Sequence, residues 1–362
     1  MRRKRMFLIF AGLLVCAVFT FGIFTLPSES AAPVKWTFQD DVPAGNPYFE
    51  LSTNFSKNVY DTTGGRLKLD LQPLNAIVPY GEITSAVRNG VLDIAIMDVA
   101  GELGRFGPKA ILLGASGGAA GLNPPEFLAW FYNGGGHKYL EKEYEKLGVV
   151  CIGLNSCGPA ELFAHSNKPL TSVDDFKGLK FRTMGLWGNI LTDLGASVIT
   201  VPGGEIYQSM ERGVIDAFEY CGPCIDYDMG FQEVAKYIGV PGIQSPLAAR
   251  ALLINKDSWN RLPDDIKAIL RLLSKENTLS SVYELSQKDI AAFKKFKEYG
   301  NKVFQVSPEM QEKIAKLALK YHEKYMADDP EYKQIFDEQK KFVNDYKDLK
   351  DELQIKVSIY DD

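Results

Sequence analysis

Histidine is scarce in this chain, and the histidines that it has stand far apart. Among 362 residues there are three, at positions 137, 165 and 322. Zinc sites and hydrolase triads need imidazole groups close together, so this spacing argues against both. No nucleophile elbow is present, and the glycine-rich segment 114–121 lacks the Lys-Ser/Thr of a phosphate-binding loop. The sequence therefore predicts no catalytic residues.

An excess of positive charge is also missing. The chain carries 41 Lys and Arg against 46 Asp and Glu, which gives a net charge of −5. Basic residues in the C-terminal third are mixed with acidic ones, as on solvated helix faces. No basic stripe interleaved with aromatic residues occurs, so the composition predicts no nucleic-acid partner.

Long apolar runs are confined to the N-terminus. Arg2, Arg3, Lys4 and Arg5 precede an apolar stretch from Met6 to about Leu26, and small residues follow. This order is typical of an export signal, here residues 1–30 with cleavage after Ser30 or Ala31, and it predicts a periplasmic protein. An uncleaved membrane anchor is the alternative, since the stretch is long enough to span a bilayer.

Cysteine is sparse but suggestive in its spacing. The exported part keeps Cys151, Cys157, Cys221 and Cys224. The run Cys221-Gly-Pro-Cys224 resembles the redox motif of thioredoxins, which makes a periplasmic thiol-disulfide oxidoreductase an alternative function. The motif nevertheless lies deep inside an α/β unit, where a turn with buried or locally disulfide-bonded cysteines explains it equally well.

Strand and helix patterns alternate up to about Pro246, which predicts an α/β fold with parallel sheets flanked by helices. One pattern occurs twice: Glu82-Ile83 followed by Gly90-Val-Leu-Asp93, and Glu205-Ile206 followed by Gly213-Val-Ile-Asp216. Each copy reads as a short helix, a glycine at its C-terminus and an apolar strand. The echo predicts two similar lobes.

Amphipathic helices dominate the chain after residue 263. Pro263 and Ser307-Pro308 are typical of helix starts, and further helix is predicted from Pro330 to Leu353. The apolar positions Ile314, Leu317, Tyr321 and Tyr325 form one stripe. This stripe could cover a lobe or pair with a second subunit.

Arg182 ends the polar-apolar alternation Leu179-Lys-Phe-Arg182, just before a glycine and a new helix. Ligands of open α/β sheets gather at such strand ends, and a guanidinium pairs well with a carboxylate or sulfonate. Glu219 and Tyr220 end a second predicted strand, and Glu161 lies within a third. Each of these side chains could instead be solvated. The same holds for Asp40-Asp41, Asp98 and Tyr80 in the first half, which could face a cleft or serve as caps.

The run from Gly178 to Tyr220 resembles the substrate-binding proteins of TRAP transporters, the DctP-like solute receptors. Its most specific parts are K-G-L-K-x-R at 177–182 and P-G-G-E-I-Y-x-x-x-E-R-G-V-I-D-A at 202–217. Further matches extend over nearly the whole exported chain, including Asn75 to Tyr80. The strongest similarity is to the branch that binds 2-oxo acids.

The resemblance implies two α/β lobes with a ligand cleft between them. We expect lobe 1 at 31–153, with about 246–262 returning to it, lobe 2 at 154–245, and long C-terminal helices at 263–362 that pack on the lobes and could also pair with a second subunit in a homodimer.

The resemblance also implies the binding site. Arg182 occupies the position of the arginine that grips the ligand's acidic group, and Glu161 and Glu219 match positions that help to hold a bridging cation, sodium or calcium. A further carboxylate of the branch is missing, since Pro241-Gly-Ile-Gln-Ser245 reads differently. The expected ligand-binding residues are Arg182, Glu161, Trp187, Tyr220, Glu219, Tyr80, Gln244 and Asn155.

The expected function is therefore that of a periplasmic receptor without enzyme activity. It would capture a small organic acid and deliver it to the membrane subunits of a TRAP permease. A ligand sensor that signals to a membrane kinase is a third hypothesis, and the sequence leaves the identity of the acid open.

Overall fold

The computed structural model describes residues 32–353 except Ser116. The predicted export signal, residues 1–30, lies outside the described residues. Two mixed sheets organise the chain, one with strand order β2-β1-β3-β10-β4 and one with order β11-β9-β5-β8-β6-β7. Helices cover both sheets, and we call the part built on the first sheet lobe 1 and the part built on the second lobe 2.

The first sheet comprises five strands and carries the first six helices. Its strands are β1 (Val34–Gln39), β2 (Leu67–Gln72), β3 (Ile94–Asp98), β4 (Val149–Gly158) and β10 (Ala248–Asn255). The helices are α1 (Pro47–Thr62), α2 (Ile83–Arg88), α3 (Leu103–Phe106), α4 (Lys109–Gly114), α5 (Pro124–Asn133) and α6 (Gly136–Lys146). Asn46 begins α1, since its side chain accepts a hydrogen bond from the backbone N–H of Tyr48 at 2.9 Å.

The second sheet has shorter strands. They are β5 (Ala164–Ser166), β6 (Lys180–Arg182), β7 (Ser197–Ile199), β8 (Ala217–Phe218), β9 (Tyr237–Val240) and β11 (Lys302–Gln305). The helices between them are α7 (Gly185–Asp193), α8 (Ile206–Glu211), α9 (Pro223–Asp228) and α10 (Phe231–Val234). After β10 follow α11 (Lys256–Arg261), α12 (Asp264–Tyr299), α13 (Pro308–Asp328) and α14 (Pro330–Leu353).

The repeated sequence pattern forms the same structure in both lobes. Gly90 and Gly213 both adopt positive φ, 75° and 67°, where a side chain would be strained. Asp93 accepts a hydrogen bond from the N–H of Thr37 at 2.9 Å, and Asp216 accepts one from the N–H of Lys180 at 3.0 Å. In each lobe the repeated aspartate thereby ties its own segment to the neighbouring strand.

The sheets are mixed rather than purely parallel. Strand β10 runs antiparallel to β3 and β4, and β5 runs antiparallel to β8 and β9. The reason lies in the connections: β4 leads the chain out of lobe 1, and β10 brings it back from the opposite direction. The chain thus passes between the two lobes after β4, before β10 and between α12 and β11.

Helix α12 is held against β4 by polar contacts. The pairing of β4 with β10 is irregular next to Arg250 and Ala251, which frees backbone groups of β4 from the ladder. Side chains of α12 bind them: Thr278 donates to the carbonyl of Leu154 at 2.8 Å, and Asn277 donates to that of Asn155 at 2.8 Å. The buried carbonyls of β4 thus accept hydrogen bonds from side chains of the helix.

The last two helices straddle the lobes. Helix α13 packs Met310, Ile314 and Ala318 into the core of lobe 2, with Leu317 and Tyr321 beside them. Helix α14 inserts Tyr332 and Ile335 into the core of lobe 1. The apolar stripe of α13 therefore covers a lobe of its own chain. Within the described residues, no helix combines the length and the apolar character needed to cross a bilayer.

Candidate ligand-binding site

Strand β6 places Arg182 at its C-terminal end, level with Phe218 of the neighbouring strand β8. Phe181 is fully buried in the core and Arg182 is 4% exposed. The guanidinium donates through Nε to the carbonyl of Val201 at 3.2 Å and through Nη1 to the carbonyl of Glu219 at 2.9 Å. Its carbon lies 5.7 Å from the centre of the Tyr220 ring. Among the described residues, Nη2 has no hydrogen-bond acceptor, so part of the fork is free for a ligand.

Two carboxyl groups lie beside this arginine. Glu219 Oε1 is 3.5 Å from Arg182 Nη1. Glu161, half-buried on the segment between β4 and β5, lies within hydrogen-bond reach of Glu219. Burial raises the pKa of Glu161 well above its ordinary value, and the negative charge of Glu219 raises it further. Protonated Glu161 therefore donates to Glu219, and the pair shares a proton that a cation could replace.

Lobe 1 presents a second charged cluster, formed by Asp40, Asp41, Asp98 and Arg250. One nitrogen of Arg250, Nη2, donates to both Asp40 and Asp41, while Nη1 is buried without a partner among the described residues. The Arg250 guanidinium also stacks 4.7 Å from the centre of the Tyr48 ring. The three carboxyl groups outnumber the one guanidinium, so this largely buried cluster, which we call the acidic wall of lobe 1, has an excess of acidic groups.

Two of these acids have pKa values that are raised toward neutrality. Burial raises the pKa of Asp40 to about 6, against a lowering effect of Arg250. Burial and the neighbouring Asp41 raise the pKa of Asp98 to about 7. Both groups therefore titrate near neutrality, which makes the charge of this wall sensitive to pH and to bound cations.

A small cavity lies where the two lobes meet. Tyr48 and Ala248 line it from lobe 1, and Glu161 and Cys221 line it from lobe 2. A Cβ on Gly158, the last residue of β4, would come within 2.0 Å of the Tyr48 hydroxyl. Tyr48, on which Arg250 stacks, therefore lines the same cavity as Glu161.

The other predicted ligand residues lie in different surroundings. Gln244 is buried and donates to the carbonyl of Leu162 at 2.9 Å, while its Oε1 has no partner among the described residues. Asn155 is buried in β4, and its amide also lacks a partner in that part of the chain. Tyr80 lies beside Asp98 in lobe 1.

Trp187 departs from its expected place beside the ligand. Helix α7 turns this side chain into the core of lobe 2, where its ring centre lies 5.6 Å from that of Phe163 and 6.3 Å from that of Phe176. Only 5% of the residue is exposed. The indole therefore packs in the core of lobe 2, in the helix that follows Arg182.

The C-x-x-C cysteines are reduced and poorly suited to redox catalysis. Both thiols are free. Burial, reinforced by the charges of Glu161 and Asp226, raises the pKa of Cys221 well above its ordinary value. Burial and Asp289 raise the pKa of Cys224 as well. Since the thiolate is the reactive form, this environment opposes the oxidoreductase alternative.

Sequence reasoning missed Arg250. The signal was present, because a single arginine interrupts the apolar run Ala248-Ala-Arg-Ala-Leu-Leu-Ile254 of a buried strand. A buried guanidinium requires carboxylate partners. Its partners Asp40 and Asp41 lie about two hundred residues earlier in the chain.

The raised pKa values predict that stability falls as pH rises. An unfolded aspartate has an ordinary pKa of 3.8, whereas the folded values are about 6 for Asp40 and about 7 for Asp98. Between pH 4.5 and 7 the folded chain thus holds protons that the unfolded chain releases. Without added divalent cations, we expect the unfolding free energy to drop by a few kcal/mol across this range, at about 1.4 kcal/mol per pKa unit.

Differential scanning fluorimetry in a chelating buffer measures this effect as a melting temperature that declines with pH. In the Asp98→Asn variant the melting temperature should decline less with pH, because one of the titrating groups is removed. A melting temperature that rises steadily from pH 4.5 to 7 would contradict the prediction.

Two α/β lobes joined by crossing strands, with a buried arginine at a strand end of the second lobe, are typical of the class of two-lobed solute-binding proteins. The chain belongs to one family of this class, bacterial extracellular solute-binding protein family 7, DctP, whose model matches residues 38–329. The predicted family, the α/β two-lobed fold and the receptor role are thereby confirmed.

The names of similar proteins agree with this family assignment. The monocarboxylate 2-oxoacid-binding periplasmic protein of Nostoc sp. is 29% identical over 309 residues, which cover 85% of this chain and 84% of that protein. A TRAP transporter solute-binding protein of Bordetella bronchiseptica, solved with copurified calcium and picolinate as a mixed-occupancy dimer, superposes with a TM-score of 0.81 at 26% identity and covers 89% of this chain and 95% of its own. For the fold alone, a protein of Colwellia psychrerythraea at 24% identity superposes with a TM-score of 0.81 and covers 89% and 97% of the two chains.

In the part of the chain that the structure describes, no group of three or more acidic, cysteine or histidine side chains is arranged as a metal cage. Glu161 and Glu219 would supply two carboxyl groups to a cation, and its further ligands would come from other groups, such as backbone, solvent or the bound acid itself.

Proposed function

We propose that this protein is a periplasmic receptor that binds a small monocarboxylic acid, with 2-oxo acids as the first class to test. The observation that carries the proposal is Arg182, a buried cation with one side of its fork unpaired at the junction of the lobes. A buried guanidinium of this kind replaces the water shell of a carboxylate with charge-assisted hydrogen bonds. The designation of the Nostoc relative supports this class.

We further propose that the acid binds together with a cation, calcium or sodium. Two clusters together hold five carboxyl groups for two arginines: Asp40, Asp41 and Asp98 lie with Arg250 in lobe 1, and Glu161 and Glu219 lie with Arg182 in lobe 2. Adding an anion to this excess of negative charge requires protons or a cation. The oxygen donors of Glu161 and Glu219 suit both ions, and bound cation would neutralise the pair while bridging to the ligand.

The lobes would close around the ligand by a hinge motion at the crossing strands β4 and β10. The proposed lobe boundaries are those of the sequence prediction. We also propose that residues 1–30 direct export and that the receptor delivers its ligand to the membrane subunits of a TRAP permease. The family's extracellular role supports export and delivery. A homodimer is part of the same proposal.

A thermal-shift screen over organic acids tests the proposal, because a ligand that binds only the folded state raises the melting temperature. The screen is run at pH 7.5 with calcium, with sodium alone, and with a chelator. We expect one or a few small carboxylic acids to raise the melting temperature by several degrees, and we expect chelation in a sodium-free buffer to weaken this effect.

The matched control is Glu161→Gln, which keeps the size of the side chain and its hydrogen bond to Glu219 but cannot give up a proton in exchange for a cation. We expect it to reduce the cation dependence of binding. A protein that responds to none of the acids under any condition, or that responds only to cations, would count against the receptor proposal.

A further inference from the structure

His165 and Asp226 form a fully buried pair in lobe 2 that belongs to no part of the ligand site described above. Both residues are 0% exposed, and Nε2 of His165 lies 2.8 Å from Oδ2 of Asp226. The imidazole stacks on the ring of Phe218 at 4.8 Å, with the rings of Phe231 and Phe296 at 5.6 and 5.7 Å. Burying a polar pair among aromatic rings costs free energy that packing alone does not require.

The pair shares a cross-strand row with Arg182. Phe218 of β8 is in register with Arg182 of β6 on one side and with His165 of β5 on the other. Residues in register on neighbouring strands project from the same face of a sheet, and neighbouring strands are about 4.8 Å apart, so the Cα atoms of Arg182 and His165 are separated by about 10 Å. The residue that follows Phe218 is Glu219 of the ligand site.

The negative charge of Asp226 reaches that site. Burial and the charge of Glu219 raise the pKa of Glu161, and the charge of Asp226 raises it further. Burial raises the pKa of Asp226 itself, whereas the hydrogen bond from His165 and the charge of Arg182 oppose that rise. Lobe 2 therefore sets three carboxyl groups, those of Glu161, Glu219 and Asp226, against the single charge of Arg182.

The outer atoms of the pair indicate which of its nitrogens carries a proton. Nδ1 of His165 and Oδ1 of Asp226 are buried and lack hydrogen-bond partners within the described part of the chain. A doubly protonated imidazole would leave an N–H donor of a charged ring unpaired among aromatic side chains, whereas a neutral ring with its proton on Nε2 leaves only a lone pair. The neutral ring is therefore favoured, and the pair as a whole carries one negative charge.

We propose that His165 and Asp226 are positioning residues that hold a permanent negative charge behind the ligand site and thereby make binding of the acid depend on a cation. This inference rests on the proposed function. Asp226 compensates the charge of Arg182, so Glu161 and Glu219 keep one uncompensated negative charge even while they share a proton. An incoming carboxylate adds another, which a cation offsets. Asp226 acts through its charge, since its Oδ2 is engaged by His165.

Isothermal titration calorimetry of the exported chain at pH 7.5 tests the role of Asp226. Calcium is titrated into acid-free protein, with sodium in a second series, and the acid found in the thermal-shift screen is titrated in a sodium-free buffer with chelator. The variant Asp226→Asn keeps an oxygen acceptor for His165 and removes only the charge. We expect its calcium affinity to fall by about tenfold or more, and its cation-free affinity for the acid to rise by a similar factor.

The opposite signs of these two changes separate a role of charge from damage to the fold, because a distorted site would bind both partners less tightly. Asp228→Asn is the matched control. Asp228 is exposed on the same helix, so the same chemical change there should leave both affinities within about twofold.

Two substitutions at His165 test how the charge is held. His165→Phe keeps a ring between Phe218 and Phe231 but removes the donor, so Asp226 takes up a proton and calcium binding should weaken as in Asp226→Asn. His165→Gln offers an amide N–H to Asp226 and should retain calcium affinity within about threefold. Melting temperatures in chelating buffer show whether each variant is folded.

An Asp226→Asn variant that binds both calcium and the acid like the unaltered protein would overturn the inference and leave the receptor proposal standing. Parallel weakening of both affinities would reduce the pair to a structural role and overturn it as well, as would an unaltered protein that binds neither calcium nor sodium. If no acid binds, the receptor proposal fails, and the calcium titrations alone decide whether Asp226 favours the cation.

Discussion

Arg182→Ala is expected to weaken binding of the acid found in the thermal-shift screen by about 2–5 kcal/mol, the usual effect of removing one partner of a buried, hydrogen-bonded charge pair. The corresponding rise in dissociation constant is roughly thirtyfold to several thousandfold. The loss has two sources: the ligand carboxylate loses its cationic partner, and Glu219 loses the guanidinium that lies 3.5 Å from its Oε1. Isothermal titration calorimetry measures it directly.

Lys180→Ala provides the control for this measurement. Lys180 is on the same strand, two residues earlier, but its side chain is partly exposed and lies near Asp216 on the surface. We expect this variant to bind the acid with nearly unchanged affinity. Equal affinity of the Arg182→Ala variant and the unaltered protein would remove Arg182 from the ligand site.

Arg250→Ala should destabilise the fold more than any surface substitution. It leaves Asp40 and Asp41 buried, at 0% and 5% exposure, without the cation that both contact. Removing one partner of a buried ion pair typically costs about 3–5 kcal/mol. For a chain of this size we expect a fall in melting temperature on the order of 10 °C. The fall should be smaller at pH 5 than at pH 8, because protonation of the aspartates removes the unpaired charge.

Arg271→Ala is the matched control, since Arg271 is an exposed arginine that stacks 5.2 Å from the centre of the Trp259 ring. Surface substitutions usually change the unfolding free energy by about 0.5 kcal/mol or less. If the two alanine variants melted at similar temperatures, the ion cluster of lobe 1 would contribute nothing to stability.

The parts of this protein that depend on local pattern could be predicted from the sequence. The alternation of strands and helices, the two copies of the helix-Gly-strand unit and the caps of α1 and α13 all follow from residues within a few positions of each other. Arg182 was singled out by its place at the end of an alternating strand. Glu161 and Glu219 were also singled out by their places in predicted strands, but their joint role came from the family resemblance, because nothing local indicates that side chains so far apart in sequence share a proton.

What the sequence did not predict depends on contacts between distant segments. Arg250 gains its partners from the end of β1, and β10 runs antiparallel because it returns from the other lobe. The four-residue strand β11 is too short to show a period of its own, and it forms by pairing with β9. Trp187 is of a residue type that could contact a ligand, yet the orientation of α7 points its side chain into a core of phenylalanines. No local sequence pattern specifies that orientation.

The final two helices act as a tether between the lobes. The ammonium of Lys109, beside Glu143 and Glu331, fastens the beginning of α14 to lobe 1, whereas α13 is embedded in lobe 2. Only Asp329 separates the two helices. In the proposed hinge motion, separation of the lobes requires a conformational change at Asp329 or release of α13 or α14 from its lobe. The distance between the lobes in the open receptor is therefore limited by this one-residue connection.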